Sequence, residues 1–228
     1  MKPFHALLIL AAASIPPLQA QTISGTQLEI GPAGSNQVSG NLIGAAIGSN
    51  NQVTSEGSLA LGRNNTAYSN SLAVGWGNYC AYESLAIGTS NSSEARSSLL
   101  VGSLNFAEES SDFTAFDCLL VGTSNWMSDT AARGLMAGWN NVVSGGMEFT
   151  ISCASVLGRG LYNQYNSATL VGQYNDTGVP YDSGLLFAIG NGADATHRSN
   201  AFEVYTSGKI TMPRQGDVLM GEFGNAGD

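Results

Sequence analysis

Apolar and polar positions follow one short pattern that recurs along this chain, with each copy ending in a glycine and, three residues later, an asparagine. The clearest copies span residues 58–65, 71–78, 84–91 and 98–105. Their glycines are separated by 13, 13 and 14 residues. A fixed period of this length predicts a stacked array of coils, in which each coil contacts only its neighbours.

The same glycine recurs ten times, at spacings of 14, 13, 13, 14, 20, 16, 20, 14 and 18 residues. These glycines are Gly48, Gly62, Gly75, Gly88, Gly102, Gly122, Gly138, Gly158, Gly172 and Gly190. Alternating positions before each glycine predict a strand, and the asparagine after it predicts a turn in which side-chain amides form a ladder. The pattern therefore indicates an all-β solenoid of about ten coils of roughly 14 residues, with insertions in its second half.

The predicted strands are apolar on both faces. The residue before each glycine and the residue three before it share one face, which we assign to the interior. The residue between them points the other way and is apolar in all ten coils. Because a strand that is apolar on both faces is buried on both, this second column predicts a homotrimer interface. Its members are Ala60, Ala73, Ala86, Leu100, Leu120, Met136, Val156 and Leu170.

The motif Ser-Leu-Ala-Ile-Gly-x-x-Asn of residues 84–91, at this period, resembles the YadA-like head repeat of trimeric autotransporter adhesins. The resemblance covers about residues 40–190 and implies a left-handed parallel β-roll in which three chains pack around a common axis. Residues 187–192 and 198–212 are similar to the segment that closes β-rolls in some phage tail fibres and bacterial surface proteins. Within that segment, alternation on either side of Ser207-Gly208 predicts a β-hairpin.

The two ends of the chain differ from the repeats. Residues 1–20, with Lys2, an apolar run over 6–13 and Pro16-Pro17, are typical of a signal peptide cleaved before Gln21. Residues 21–44 form a predicted N-terminal cap, in which Gly34 echoes Gly48. The roll follows over 45–190, the closing hairpin over 191–212 and a flexible tail over 213–228. This organisation predicts an exported protein, either secreted or associated with the cell surface or outer membrane, with no membrane insertion of the mature chain and no sign of how it is anchored.

Charge and cysteine content narrow the range of partners. The chain carries 17 acidic and 8 basic residues, and its net charge is −9. Loss of Lys2 with the leader would leave seven basic residues against seventeen acidic ones, a net charge of −10. This balance argues against nucleic acid as a partner. Cys80, Cys118 and Cys153 match no metal-binding spacing, so we expect three buried thiols, although an odd number also permits one disulfide and one free thiol.

No catalytic or metal-binding motif is evident. His197 is the only histidine beyond the leader, and with Asp194 and Ser199 nearby we interpret it as an exposed loop residue rather than a base. The carboxylates between Gly102 and Gly122 lack the ordered spacing of a calcium loop, and we expect a solvated acidic loop; they are Glu108, Glu109, Asp112 and Asp117. The sequence therefore predicts a protein that is not an enzyme and uses no cofactor or metal.

Aromatic residues in the turns and insertions form the candidate ligand-binding surface, because such side chains can stack on sugars or bind proteins. They are Trp76, Phe113, Phe116, Trp126, Trp139, Phe149, Tyr174 and Tyr181. Insertions over 108–116 and 144–152 are expected to project as a crown from the second half of the roll. In the alternative interpretation, these aromatic residues only cover the turn ridge or the seam between chains.

Together these features predict a non-enzymatic trimeric adhesin-head-like protein that binds an unidentified cell-surface or matrix ligand, protein or glycan. One alternative is a tail-fibre-like or spike-like module that recognises polysaccharide. A second alternative is a structural spacer in the cell envelope.

Overall fold

The computed structural model describes residues 21–24, 27–32, 35–39, 43–108, 117–128, 131–145 and 151–213. Over these residues the protein consists of strands and turns with no helix, which confirms the predicted all-β fold. The strands are β1 Gln21–Ser24, β2 Gln27–Ile30, β3 Gln37–Val38, β4 Gly44–Ser49, β5 Gln52–Val53, β6 Ser58–Arg63, β7 Thr66–Ala67, β8 Leu72–Trp76, β9 Tyr79–Cys80, β10 Leu85–Thr89, β11 Ser92–Ser93, β12 Leu99–Ser103, β13 Phe106–Ala107, β14 Leu119–Thr123, β15 Trp126–Met127, β16 Ala131–Ala132, β17 Leu135–Trp139, β18 Val142–Val143, β19 Ile151–Ser152, β20 Ser155–Arg159, β21 Tyr162–Asn163, β22 Thr169–Gln173, β23 Leu185–Asn191, β24 Asn200–Tyr205 and β25 Ile210–Thr211.

Each coil contributes one long strand and one two-residue strand, so two sheets run along the rod. The long strands form a 14-stranded sheet that is parallel from β2 to β23, and the short strands form a parallel 9-stranded sheet. A separate parallel pair, β16 and β19, joins the coil between Gly122 and Gly138 to the coil between Gly138 and Gly158. This arrangement is the predicted parallel β-solenoid of about ten turns.

The repeat glycines lie directly above one another. Gly75, Gly88 and Gly102 are in register across β8, β10 and β12. The φ angle of Gly88 is 123°, and a Cβ atom there would overlap the carbonyl oxygen of Gly102. Both the left-handed backbone and the close approach between coils therefore require glycine at this position.

The predicted assignment of the two strand faces was wrong. The column expected to form the trimer interface is fully buried inside the single chain, where it packs against inward-facing residues of the short sheet such as Val53, Ala67 and Met127. The buried members are Ala60, Ala73, Ala86, Leu100, Leu120, Met136, Val156 and Leu170. The reason is that a period of two defines two faces without specifying which one is interior. In the first coils the interior column is alanine, at positions 46, 60, 73 and 86, and larger side chains occupy this column from Leu100 onward.

A glutamate closes each end of this interior column. Glu29 is in register with Ala46, and its Oε1 accepts a hydrogen bond from the backbone N–H of Val38 at 2.9 Å. At the other end Glu203 is in register with Ala188 and is almost fully buried. Each end of the apolar core is thus covered by a carboxylate whose oxygens accept hydrogen bonds from nearby residues of the same chain.

The first coil is built differently from the predicted echo. Gly31 lies against the carbonyl of Gly48 and takes the place of the repeat glycine, whereas Gly34 lies outside the described residues. Asn36 occupies the asparagine position, because its Oδ1 accepts from the backbone N–H of Asn51 at 3.0 Å. Ahead of this coil, β1 adds an antiparallel strand to the edge of the long sheet.

The predicted asparagine ladder is confirmed. In each rung, the amide Nδ2 donates to a backbone carbonyl of its own coil and to the carbonyl of the next repeat glycine. In every rung before the last, Oδ1 accepts from the following asparagine. For Asn91, Nδ2 donates to the carbonyls of Ile87 at 3.1 Å and Gly102 at 2.9 Å, and it also lies 3.0 Å from Oδ1 of Asn78. The rungs are Asn36, Asn51, Asn65, Asn78, Asn91, Asn105, Asn125 and Asn141. The ladder ends at Leu161, whose backbone N–H donates to Asn141 at 3.0 Å but whose side chain offers no amide.

The carboxyl-terminal strands close the solenoid as an antiparallel unit. The predicted hairpin between β24 and β25 is present, and β24 also pairs antiparallel with β23, which the alternation alone did not indicate. The predicted signal peptide over 1–20 lies outside the described residues, as does the tail beyond residue 213.

Burial separates the three cysteines. Cys80 and Cys118 are buried free thiols, as predicted, but Cys153 is an exposed free thiol. Cys153 has a φ of 57° in the turn ahead of β20, so its side chain projects from the coil instead of entering it. The prediction of a buried thiol was therefore wrong at this position.

Candidate functional site

The outer face of the long sheet is an apolar surface that the single chain leaves partly exposed. It consists of the two columns that the sequence pattern had assigned to the interior. Of their members, Ile87, Val121, Leu135, Leu157 and Ile189 are 36–40% exposed. Leu59, Leu61, Leu72, Val74, Leu85, Leu99, Val101 and Val171 are half-buried on the same face. We call this surface the outer apolar face.

A second surface is the ridge formed by the residues directly after the repeat glycines. Arg63 and Trp76 are in register on neighbouring strands near one end of the ridge, and Trp139 and Arg159 are in register toward the other. All four side chains are exposed. The ridge therefore presents two arginine–tryptophan neighbours, separated by the smaller Thr89, Ser103 and Thr123.

At the second of these positions, four side chains come together as an arginine–aromatic stack of Trp139, Arg159, Tyr174 and Arg198. The guanidinium carbon of Arg159 lies 4.5 Å from the ring centre of Trp139 and 5.5 Å from that of Tyr174. The guanidinium carbon of Arg198 lies 5.8 Å from the same tyrosine ring. These distances are within the range of cation–π contacts. Two cations and two aromatic rings thus share one corner of the rod.

Backbone features hold the stack in place. Tyr174 is only 8% exposed, because its ring folds back onto Gly160, where a Cβ atom would overlap it. Arg198 reaches over from the segment after β23, and its Nη1 donates to the carbonyls of Gly160 at 2.9 Å and Asn175 at 3.4 Å. The ring and one guanidinium are therefore fixed by the fold, whereas Trp139 and Arg159 remain accessible.

The other predicted aromatic residues do not join this stack. Trp76 lies at the opposite end of the ridge, Trp126 is exposed on the outer side of the short sheet, and Tyr181 is exposed in the turn before β23. Phe113, Phe116 and Phe149 lie outside the described residues, so the predicted crown stays a prediction. Among the described members of the predicted set, the structure brings together Trp139 and Tyr174, with Arg159 between them.

A smaller aromatic cluster lies at a corner of the early coils. The rings of Tyr68 and Tyr82 pack edge to face at 5.9 Å, and the guanidinium of Arg96 lies 5.5 Å from the Tyr82 ring. Tyr82, Glu83 and Arg96 line a shallow cavity of about 190 Å³ next to this cluster. Arg96 thus shares its cavity with the carboxylate of Glu83, unlike the arginines of the stack.

His197 and Asp194 are paired but lack a nucleophile. The Nδ1 atom of His197 lies 3.0 Å from Oδ1 of Asp194, and both side chains are exposed. Hydrogen bonds from Thr196 and then from His197 hold the pKa of Asp194 well below its usual value. The hydroxyl of Ser199 donates to Oδ1 of Asn191 at 2.7 Å instead of contacting the histidine. This exposed turn therefore does not assemble a triad.

The acidic loop is described only at its edges. Glu108 precedes it, and Asp117 at its end lies 3.9 Å from Arg133, whereas Glu109 and Asp112 lie outside the described residues. Within the described part of the chain, no three histidine, cysteine, aspartate or glutamate side chains are placed to hold a metal ion. In the same residues there is no helix that is long and apolar enough to cross a membrane.

The sequence pattern did not identify Arg159 and Arg198 as site residues. Arg159 could have been found, because it follows a repeat glycine one coil after Trp139 and must therefore be its neighbour. Arg198 had no such signal, since its segment lies after the repeats and only the fold brings it to Tyr174. No family model, curated protein or solved structure matches this chain.

Proposed function

We propose that this protein is an exported, non-enzymatic homotrimeric head that binds a cell-surface or matrix ligand through its exterior. The observation that carries this proposal is the outer apolar face. Its leucine, isoleucine and valine side chains recur in almost every coil and retain substantial exposure in the single chain.

An apolar surface of this length favours a permanent partner. Exposed apolar patches on single soluble proteins are usually limited to a few hundred Å², and larger ones mark interfaces. Burying the exposed part of each aliphatic side chain would contribute about 1 kcal/mol. Summed over the coils, this contribution is comparable to the 5–15 kcal/mol by which domains are typically stable.

The regularity of the face favours a second copy of the same chain as that partner. Its side chains are spaced by one strand separation, about 4.8 Å, over the whole rod. A surface with the same spacing matches it in every coil, and other copies of this chain have that surface. Three chains around one axis is the number implied by the resemblance to YadA-like heads, and such an arrangement would present three equal sets of exterior binding residues.

Two substitutions in one coil test the assembly. Val121, on the outer apolar face, is 38% exposed, and Trp126, on the outer side of the short sheet, is 40% exposed. Replacing Val121 with aspartate would place a carboxylate in the interface of every chain, at a cost of several kcal/mol per ion, as an order of magnitude. We expect the wild-type full chain and W126D to elute as trimers in light scattering, and V121D to be monomeric or aggregated.

Comparing the two variants separates an effect on assembly from a general effect of the new charge, because W126D introduces the same charge at nearly equal exposure outside the outer apolar face. A wild-type chain that is folded, soluble and monomeric at micromolar concentration would contradict the proposal. A V121D chain that remains a trimer as stable as wild type would contradict the assignment of the outer apolar face as the interface.

A further inference from the structure

We propose that the arginine–aromatic stack of Trp139, Arg159, Tyr174 and Arg198 is a binding site for an anionic sugar, a hexose ring that carries a carboxylate or sulfate group. The inference deepens the proposed function and rests on it, because it specifies the chemical class of the surface ligand.

Charge is the first argument. The chain has a net charge of −9 and only 8 basic residues, yet two of them converge on the ring of Tyr174. Within the described residues, neither Arg159 nor Arg198 lies within 4.0 Å of a carboxylate. A guanidinium group presents parallel N–H donors that match the oxygens of a carboxylate or sulfate. An external anion would supply the counter-charge that this acidic chain does not provide.

The aromatic rings are the second argument. Trp139 is 45% exposed at the edge of the stack, so its indole can receive the apolar face of a pyranose ring. The guanidinium of Arg159, 4.5 Å from the indole centre, would then lie within reach of an acidic substituent on that ring. Stacking by one side chain and charge pairing by its neighbour together select a sugar that is both cyclic and anionic.

Preorganisation is the third argument. The Tyr174 ring is held on Gly160, and Arg198 is held by two backbone carbonyls. These two residues keep positive charge and a rigid ring behind Arg159 before any ligand arrives. These two residues have little side-chain freedom left to lose on binding, which favours affinity.

The ridge provides its own controls. Arg63 and Trp76 occupy the same positions after their glycines as Arg159 and Trp139 do, and they are also exposed and in register. They have no second arginine and no folded-back tyrosine beside them among the described contacts. R63Q and W76A therefore match R159Q and W139A in charge change, exposure and place in the repeat.

The test is calorimetric titration of the purified full chain with three probes: an oligogalacturonate, a heparin-derived oligosaccharide and neutral maltoheptaose. We expect binding of at least one anionic probe and none of maltoheptaose. R159Q and W139A should each weaken that binding about tenfold or more, while R63Q and W76A leave it within about twofold. Binding of the galacturonate identifies a carboxylate as sufficient, and binding of the heparin fragment alone identifies sulfate.

Equal binding by R159Q and R63Q would overturn the proposal, as would equal affinity for the neutral probe. Unchanged circular dichroism and thermal midpoint of R159Q exclude misfolding as the cause of any loss. Because all four residues belong to one chain, the two proposals can fail separately. A trimer that binds none of the probes contradicts this site alone, whereas a monomer that binds them contradicts the assembly and supports the site.

Discussion

Removing one rung of the asparagine ladder should destabilise the protein more than any exposed substitution. The Asn105 side chain is buried, and its Nδ2 donates to Asn91 Oδ1 at 3.0 Å and to the carbonyls of Val101 at 3.1 Å and Gly122 at 2.9 Å. Its Oδ1 accepts from the backbone N–H of Asn125 at 3.2 Å and from that residue's Nδ2 at 3.0 Å. Replacing Asn105 with alanine removes all five bonds at once.

The expected loss follows from the groups that stay buried. A buried donor or acceptor left without a partner costs about 1–3 kcal/mol. The Asn125 backbone N–H and the carbonyls of Val101 and Gly122 each lose a partner, and the alanine cavity adds to the cost. The Asn91 Oδ1 keeps the backbone N–H of residue 105 as a donor. We therefore expect N105A to lower the free energy of unfolding by about 3–6 kcal/mol.

Urea unfolding at one fixed protein concentration measures this loss. With m-values of about 1–3 kcal/mol/M, the midpoint should fall by roughly 1 M or more. Q52A is the matched control, since Gln52 is an exposed amide on the outer side of the short sheet, and its midpoint should stay near wild type. A loss below about 1 kcal/mol in N105A would refute the view that the ladder carries substantial stability.

Two further predictions concern ionisable groups. In native protein a maleimide should label Cys153 rapidly and the two buried thiols slowly. The reason is that burial raises the pKa of Cys80 to about 11 and also raises the pKa of Cys118. Equal labelling rates for all three cysteines would contradict the structure. Burial by itself would raise the pKa of Glu203, but hydrogen bonds from its neighbours outweigh burial and hold this pKa below its usual value. The ionised Glu203 should therefore stabilise the folded protein near neutral pH, and this stabilisation should be lost as the pH falls through the lowered folded-state pKa. The difference in unfolding free energy between wild type and E203Q should therefore shrink with acidification, and parallel pH profiles would argue against this role.

The repeat period was sufficient to predict the solenoid, because every ladder in it involves equivalent positions. Glycine lies on glycine and asparagine on asparagine in the structure, as in the aligned sequence. The hairpin at Ser207-Gly208 was predictable for a different reason, because its two strands are close together in the sequence.

The orientation of the strands could not be predicted from alternation alone. A period of two defines two faces but does not say which is interior. Side-chain size was the better guide in the first coils, because alanine at positions 46, 60, 73 and 86 faces the interior while the larger leucine, isoleucine and valine residues next to it in the chain face outward. Neither column contains charged side chains, so the polar residues that usually mark an exterior face were absent.

The candidate site was only partly predictable. Trp139 was identified as an exposed aromatic residue, and the repeat register would have added Arg159. The contribution of Arg198 depends on how the segment after β23 returns to Tyr174, a long-range contact that no local pattern encodes. Sequence periodicity therefore describes the regular rod well and its irregular end poorly.

Because equivalent coils stack in register, the number of coils can change without altering the contacts between neighbouring coils. The length of the rod can therefore change on its own. A unit of 13 residues, such as that between Gly62 and Gly75, carries its own glycine, its own asparagine and its own share of both sheets. Duplicating or deleting one unit would leave every neighbour relation intact and change the distance between the two ends by about 4.8 Å. Reach can thus vary in small equal steps while the arginine–aromatic stack and the two glutamate-closed ends stay the same.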